Sequence, residues 1–266
     1  MTRRAVFVLL MVLFVLFITL PVVMVAIEGL GTSWFGNALL PSGWTLRWFR
    51  YAAQTANLKA VMLNTAIIAL LATVFSLAIS LPAAWALARR SIVFKGGLVA
   101  LVLLPRMIPE ITFALGVARI FYAFDLTNTY VGIALAHVIL AVPFAVLVLI
   151  ATFEGMDQRL LEAGQVCGCA PFALARRVIL PLAMPGIIAA ALFSFLASYN
   201  DFVLTLLVYG PDTVTLPVQT YLSIGNGYMS VAGAISVILL APSLLFLLLL
   251  LRMVRPETLL GGMKGA

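Results

Sequence analysis

Six long apolar runs constrain the fold of this chain more than any other feature of its sequence. The first run, residues 5–27, carries no charged side chain, and about 20 apolar residues suffice to cross a bilayer as a helix. Lipid offers the backbone no hydrogen-bond partners, so such runs cross a membrane as helices. We therefore predict an all-α polytopic membrane protein with a single transmembrane domain over residues 1–266. Its six transmembrane helices are predicted at residues 5–27, 61–88, 96–122, 131–152, 186–208 and 231–251.

The composition excludes several other classes of protein. Hydrophobic residues make up 64% of the chain and charged residues 9%, whereas soluble domains are about half apolar and about a quarter charged. An ordinary soluble enzyme, a disordered chain and a nucleic-acid-binding domain are thereby excluded. The two cysteines, Cys167 and Cys169, are one residue apart, which is poor geometry for a disulfide, and two ligands do not complete a zinc site. We expect no metal site in this chain.

The distribution of Lys and Arg predicts the orientation in the membrane. If the N-terminus is cytoplasmic, eleven basic residues lie on inner segments and three on outer loops, which is a clear positive-inside bias. The inner residues are Arg3, Arg4, Arg89, Arg90, Lys95, Arg159, Arg176, Arg177, Arg252, Arg255 and Lys264. The outer residues are Arg47, Arg50 and Lys59. We expect both termini to be cytoplasmic, and the net charge of +7 needs no nucleic-acid partner to explain it.

The first outer loop, residues 28–60, is long and rich in aromatic residues, among them Trp34 and Phe35. Its stretch 45–51 alternates aromatic and cationic side chains, a pattern typical of a segment that lies at the membrane interface. The segment is either a simple anchor or also part of a docking surface for an external partner.

The inner loop, residues 153–185, is much longer than an ordinary helix connection. Asp157 is positioned to cap a short helix, and Gly168 to end it. A corner follows at residues 169–171, and residues 172–179 are predicted to form a second short helix. This cytoplasmic platform either docks a soluble partner or packs on its own bundle.

Within this loop the sequence carries Glu162-Ala163-Gly164, then Gly168, then Val178-Ile179-Leu180-Pro181. The pattern resembles the loop of the membrane permeases of bacterial binding-protein-dependent ABC importers, in which Glu-Ala-Ala, a Gly and Ile-x-Leu-Pro have the same spacing. Gly164 replaces the third-position Ala and Val178 replaces Ile, and both are small exchanges.

The resemblance extends over most of the chain. It includes Asn64-Thr65, residues 82–89, Leu104-Pro105 and Ile108-Pro109. Residues 198–202, 210–213 and 216–218 look like the spermidine/putrescine branch, whose second permease subunit often has an acidic residue at the position of Asp201.

The resemblance implies a type I ABC importer permease fold, in the bacterial inner membrane and surrounded by lipid. Two permease subunits form the pathway, two cytoplasmic ATP-binding subunits lie beneath them, and a periplasmic binding protein delivers the solute. This chain has no G-x-x-x-x-G-K-[ST] run, so ATP and Mg²⁺ are expected on the partner ATPase and no cofactor on this chain. Residues 159–168 would be the coupling helix. The residues expected to couple to the ATPase are Arg159, Leu160, Glu162, Ala163, Gly164 and Gly168.

No enzymatic activity is expected. An intramembrane protease needs a nucleophile and a base, yet His137 is the one histidine and no G-x-S-x-G accompanies it. A polyamine or related organic amine is the favoured solute, with an opine, an aminophosphonate or another small organic molecule as the alternative. An ion-driven secondary transporter is a third interpretation, but it would not need the long inner platform.

Charges inside the third run mark candidate pathway residues. Arg106 lies about 15 Å from the inner end of this run, and Glu110 follows one turn later. They are either paired as i and i+4 neighbours, or Pro105 and Pro109 open the helix and both charges line the pathway. Arg119, near the outer end, is expected to reach the headgroups.

Asp201 lies in the outer half of the fifth run, next to Tyr199 and Asn200. A carboxylate there needs a cation, which is either Arg119, Arg106 or a substrate amine, unless it is simply solvated at the outer face. His137, in the fourth run, is predicted to make a hydrogen bond within the bundle rather than to relay protons. The last outer loop offers contacts for the binding protein at Tyr221, Asn226 and Tyr228.

Overall fold

A computed structural model describes residues 3–32, 40–55 and 57–253. In these ranges the regular structure is helical, apart from an isolated bridge between Gly31 and Trp44. The α-helices are α1 (Arg3–Leu30), α2 (Arg47–Thr55), α3 (Leu58–Arg89), α4 (Lys95–Met107), α5 (Glu110–Ala123), α6 (Tyr130–Glu154), α7 (Gln158–Val166), α8 (Pro171–Leu174), α9 (Leu180–Tyr199), α10 (Val203–Val208), α11 (Leu216–Gly225) and α12 (Met229–Met253). A π-helical turn, Ala175–Ile179, joins α8 to α9.

Five helical segments are long and apolar enough to cross a membrane, and the bent pair α4 and α5 makes a sixth when counted as one span. The five are α1, α3, α6, the continuous segment Pro171–Tyr199, and α12. The all-α membrane fold predicted from the apolar runs is therefore confirmed. The described residues do not include Trp34 and Phe35 of the long loop 28–60, nor Arg255 and Lys264 among the basic residues counted above.

The third apolar run is not one helix. The prediction of a single helix over 96–122 is corrected by a bend of 95° between α4 and α5. Ile108 is extended, with φ −84° and ψ 139°, because the ring of a following proline disfavours the helical conformation. Pro109 therefore ends α4, and α5 begins at Glu110.

The fifth run also differs from its prediction of one helix over 186–208. The helical segment begins at Pro171, ends at Tyr199 and resumes as α10 after a three-residue break. At its inner end the π-helical turn contains Arg177, whose carbonyl would meet the ring of Pro181 in a regular α-helix. The wider turn lets the helix continue, whereas the sequence suggested separate elements here.

The described residues form two compact units. The first contains the chain up to Leu63 together with Val214–Leu244. Within it, α1 and α12 approach backbone to backbone, since a Cβ on Gly29 would lie 2.7 Å from the Ala234 nitrogen. Ser230 donates a hydrogen bond to Glu28 Oε1 at 3.0 Å. The interfacial stretch predicted at 45–51 forms the beginning of α2.

The second unit contains Asn64–Thr213 and is arranged around α6. Residues of α6 are buried along its length, from Gly132 to Phe153, where it packs against α9, α10 and α4. A helix that is apolar on every side is expected at the centre of a bundle. Both helix breaks, at Pro109 and after Tyr199, lie in this unit.

Candidate functional site

The two helix breaks bring charged and polar side chains to one cavity. Its volume is about 260 Å³. It is lined by Arg106, Glu110, Leu140, Leu196, Ala197, Asn200, Asp201, Phe202 and Val203. Broken helices are a common way to build a binding site within a membrane, because they release polar backbone and side-chain groups where a continuous helix would present none. Four of the five pathway candidates therefore line this cavity: Arg106, Glu110, Asn200 and Asp201.

Tyr199 is the exception. It is buried, and its ring stacks on Phe195 with the centroids 5.5 Å apart. It is absent from the cavity lining. Its place is in the packing of α9 rather than on the wall of the site.

Arg106 is held by α6. Its Nε donates to the carbonyl of Leu140 at 3.0 Å, and its guanidinium carbon lies 4.6 Å from the ring centroid of Phe144. Within the described ranges it forms no ion pair with Glu110. Of the two alternatives, the close i, i+4 pair is not formed, because the break at Pro109 removes the continuous helix on which that spacing depends; Arg106 and Glu110 still interact electrostatically, and both line the cavity.

Asp201 organises the second break. Its Oδ1 accepts hydrogen bonds from the backbone nitrogen of Thr205 at 2.9 Å and from the Thr205 hydroxyl at 3.0 Å. The first turn of any helix has backbone N–H groups without helical partners, and this carboxylate satisfies one of them in α10. Asp201 therefore starts the short helix and at the same time lines the cavity.

Asp201 is also in contact with His137. Nε2 of His137 lies 3.1 Å from Asp201 Oδ1, and neither Arg106 nor Arg119 forms a pair with this carboxylate in the described part of the chain. Of the alternatives considered for Asp201, a close pair with Arg119 or Arg106 is therefore not the one formed. The hydrogen bonds predicted for His137 are present, to the Ser198 hydroxyl at 2.7 Å and to the Thr205 hydroxyl at 2.9 Å.

The platform, residues 153–185, contains the residues predicted to couple to an ATPase. Asp157 caps α7 by accepting from the Arg159 nitrogen at 2.9 Å, and Gly168 has φ +73°, so the predicted start and end of this helix are confirmed. Leu160, Glu162, Ala163 and the apolar Val166 are exposed.

Gly164 faces inward instead. A Cβ at this position would lie 2.4 Å from Cδ1 of Leu174, so an alanine here would require the Leu174 side chain to shift.

The base of the platform is fastened to two membrane helices. Arg89 at the end of α3 donates to the Met156 carbonyl at 2.9 Å, and Lys95 at the start of α4 pairs with Glu154 at 2.5 Å. Neither contact was predicted from the sequence. The two partners of each contact are 67 and 59 residues apart in the chain, and the sequence signal was limited to a basic side chain at the end of a helix. A displacement of α7 would reach α3 and α4 through these contacts, and α4 carries Arg106 at its other end.

Comparison with known proteins identifies the family. The profile of the family described as "Binding-protein-dependent transport system inner membrane component" matches residues 77–259, more than half of the chain. Among curated proteins, the spermidine/putrescine transport system permease protein PotC of Escherichia coli (strain K12) is 27% identical over 235 residues, 87% of each chain. The trehalose transport system permease protein SugB of Mycobacterium tuberculosis (strain CDC 1551 / Oshkosh) is 30% identical over 234 residues, 85% of each chain.

Solved structures agree on the fold. A chain of a bacterial ABC transporter involved in the import of the acidic polysaccharide alginate superposes with a TM-score of 0.72 at 18% identity, covering 94% of this chain and 95% of that one. A second alginate transporter structure, in complex with a pentasaccharide-bound periplasmic protein, gives a TM-score of 0.68 at 17% identity, covering 96% of this chain and 94% of that one. Taken with the broken helices and the platform at residues 153–185, these matches show that this chain belongs to the family of inner membrane components of binding-protein-dependent transport systems, the permease subunits of ABC importers.

Proposed function

We propose that this chain forms half of the pathway of an ATP-driven importer for a small organic amine, a polyamine or a related compound. The observation that carries the solute class is the charged cavity at the two helix breaks, which presents the carboxylates of Glu110 and Asp201. A cation that leaves water needs anionic or π partners in the pathway, and carboxylates provide the strongest of these. The relatives include a permease for spermidine and putrescine, which are amines, and a permease for trehalose, which is a sugar.

Glu110 is the better candidate for direct contact with the amine. In the described part of the chain, the Glu110 carboxylate has no close salt bridge and no side-chain hydrogen bond, although Arg106 interacts with it electrostatically at longer range, whereas Asp201 Oδ1 already contacts His137 and Thr205. We infer that Glu110 contacts the amine and that Asp201 mainly holds the wall of the cavity.

Arg106 favours a second candidate. Its guanidinium lines the same cavity and would attract an anionic group, so an amine that also carries an acid, such as an opine or an aminophosphonate, would use both signs of charge. Arg106→Gln should raise the KM for an aminophosphonate at least about tenfold and leave the KM for spermidine unchanged or lower. Equal effects on both solutes would remove this candidate.

The partners follow from the family and the platform. We propose a second permease subunit, two cytoplasmic ATP-binding subunits and a periplasmic binding protein, with both termini of this chain in the cytoplasm. Glu162, Ala163 and the other exposed residues of α7 would contact the ATPase. ATP-driven closure of the ATPases would move α7, and the contacts of Met156 and Glu154 would pass that motion to α3 and α4.

The test is uptake by the purified complex reconstituted in liposomes together with its binding protein. Spermidine, putrescine, an opine, 2-aminoethylphosphonate and trehalose are each offered in a separate assay. We expect ATP-dependent uptake of one of the amines. Uptake of trehalose alone would contradict the amine proposal and leave the importer assignment intact.

A further inference from the structure

A second, larger cavity lies where the cytoplasmic platform meets the membrane helices. Its volume is about 730 Å³, within the roughly 300–1,000 Å³ typical of small-molecule sites. Its lining is shared among α3, α6, α9, the platform and the π-helical turn, and no lining residue is shared with the charged cavity. The transport pathway proposed above therefore does not explain it.

The walls of this cavity are almost entirely apolar. Trp85 and Phe153 meet edge to face with their ring centroids 5.2 Å apart, and Leu81, Phe172, Ile179 and Ile187 add aliphatic and aromatic surface. The polar side chains in the lining are those of Gln165 and Arg176 and the thiol of Cys169. A peptide segment inserted here would bury backbone N–H and C=O groups with few partners, which is costly, whereas a hydrocarbon chain has no such groups.

Positive charge is concentrated beside this apolar space. Arg176 is exposed on the π-helical turn, a type of turn frequently found at functional sites. Within the described residues its guanidinium makes no hydrogen bond and no ion pair. Arg89 lies behind the aromatic wall, 5.9 Å from the Trp85 ring, and its Nε is buried without a hydrogen-bond partner.

An apolar cavity with a cation at its edge, at the end of membrane helices, matches the chemistry of an anionic phospholipid. An acyl chain would fill the apolar space, and the guanidinium of Arg176 would bind the phosphate in the bidentate geometry that arginine favours. Basic pockets between membrane helices on the cytoplasmic side are a known setting for anionic headgroups.

We propose that this cavity, the platform cavity, binds one anionic phospholipid of the inner leaflet, with an acyl chain against Trp85 and Phe153 and the phosphate on Arg176. The site goes beyond the transport function proposed above and depends on it only for the choice of leaflet. A lipid bound here would support the packing of the platform on α3 and α9 and would make coupling sensitive to the lipid composition.

Cys169 provides a direct probe, because it lines the cavity while Cys167, the other cysteine, is exposed. The full transporter carrying Cys167→Ser would be delipidated in detergent, and the rate of maleimide modification of Cys169 would be measured. Phosphatidylglycerol should slow the reaction at saturation, whereas phosphatidylcholine and inorganic phosphate should not. Arg176→Gln should raise the phosphatidylglycerol concentration needed for protection about tenfold or more, because it removes a charge-assisted contact.

Two further variants separate the headgroup from the apolar space. Arg90→Gln is the matched control, since Arg90 is an exposed arginine at the inner end of α3 that does not line the cavity, and its protection curve should equal that of the parent. Ala175→Trp should fill the cavity and reduce the phosphatidylglycerol retained by the purified complex, as measured by mass spectrometry, while Arg176 is kept.

Equal protection by phosphatidylcholine, or unchanged protection in Arg176→Gln, would overturn the proposal. Protection that requires the ATPase subunit and not lipid would show that a protein partner covers the cavity. ATP-dependent uptake is measured separately, so its failure would count against the proposed function and not against lipid binding.

Discussion

Nε2 of His137 lies 3.1 Å from Oδ1 of Asp201, with the two side chains only 1% and 5% exposed. This pair connects the centre of α6 to the first turn of α10, because the same carboxylate oxygen accepts from the Thr205 nitrogen. Asp201 also lines the charged cavity, so the position of one wall depends on a histidine that is not itself in the lining.

The first prediction concerns this pair. His137→Leu removes the imidazole partner of a buried carboxylate, which then keeps only its hydrogen bonds from Thr205, and loss of one partner of a buried polar group typically costs about 1–3 kcal/mol of unfolding free energy. The double variant His137→Leu/Asp201→Leu should be less destabilised than the sum of the single variants by about 1–3 kcal/mol. Denaturant unfolding of the purified permease in detergent would give all four values. Additive effects would mean that the two residues do not interact.

The second prediction concerns Glu110. Glu110→Gln retains the shape of the side chain and removes the charge, so expression and assembly should be normal. Loss of a charge-assisted hydrogen bond of about 1.5–3 kcal/mol should weaken capture of an amine roughly ten- to a hundredfold, seen as a higher KM for uptake. Glu28→Gln is the control, since Glu28 binds Ser230 in the other unit and its change should leave the KM unaltered. An unchanged KM in Glu110→Gln would remove the main argument for an amine.

The third prediction concerns the end of the coupling helix. Gly168 has φ +73°, a conformation that proline cannot adopt and that other L-residues adopt at a cost of about 1–2 kcal/mol. Gly168→Pro should therefore release the ATPase or uncouple its hydrolysis from uptake, and Gly168→Ala should do so more weakly. Gly116→Ala is the matched control, because a Cβ there meets nothing within 4 Å. ATPase recovery and ATP consumed per solute are the readouts; normal values for Gly168→Pro would contradict a coupling role.

The fourth prediction concerns orientation. In a background without cysteines, cysteines at Ser42 and Asp212 should react with an impermeant thiol reagent added outside intact cells, whereas a cysteine at Gln158 should react only after permeabilisation. A cysteine at position 212 keeps the backbone carbonyl that accepts from the Asn64 side chain and loses only the long contact of the Asp212 carboxylate with Asn128 at 3.5 Å. The reverse labelling pattern would overturn the orientation inferred from Lys and Arg.

The sequence predicted the helices better than their interruptions. Hydropathy identifies apolar runs, but it does not distinguish one helix from two joined at a bend. The break at Pro109 was therefore only one of two alternatives, and the break after Tyr199 was not predicted. Asn200 and Asp201 lie in that break, and no proline or glycine marks it. The hydrogen bonds from Thr205 to Asp201 are local, but the same carboxylate also contacts His137, more than 60 residues away in the chain, and the sequence gives no signal for that contact.

Local signals were more reliable in the platform. Asp157 and Gly168 act through the backbone of their own helix, so their capping and termination roles follow from residue type and position alone. The contacts of Arg89 and Lys95 with the platform join distant segments. The charge pattern indicated the side of the membrane for these two residues but not their partners.

The central claim is that this chain transports its solute only as part of an ATP-driven complex. The most direct test is uptake in liposomes by the purified permease pair with and without its ATPase subunits, at matched permease density and with no ion gradient. We predict that uptake requires the ATPase, ATP and Mg²⁺. We also predict that Glu162→Lys in α7 abolishes this uptake, although the complex still inserts in the membrane. Uptake without the ATPase, driven by an imposed ion gradient and unaffected by Glu162→Lys, would contradict the account and identify an ion-driven transporter.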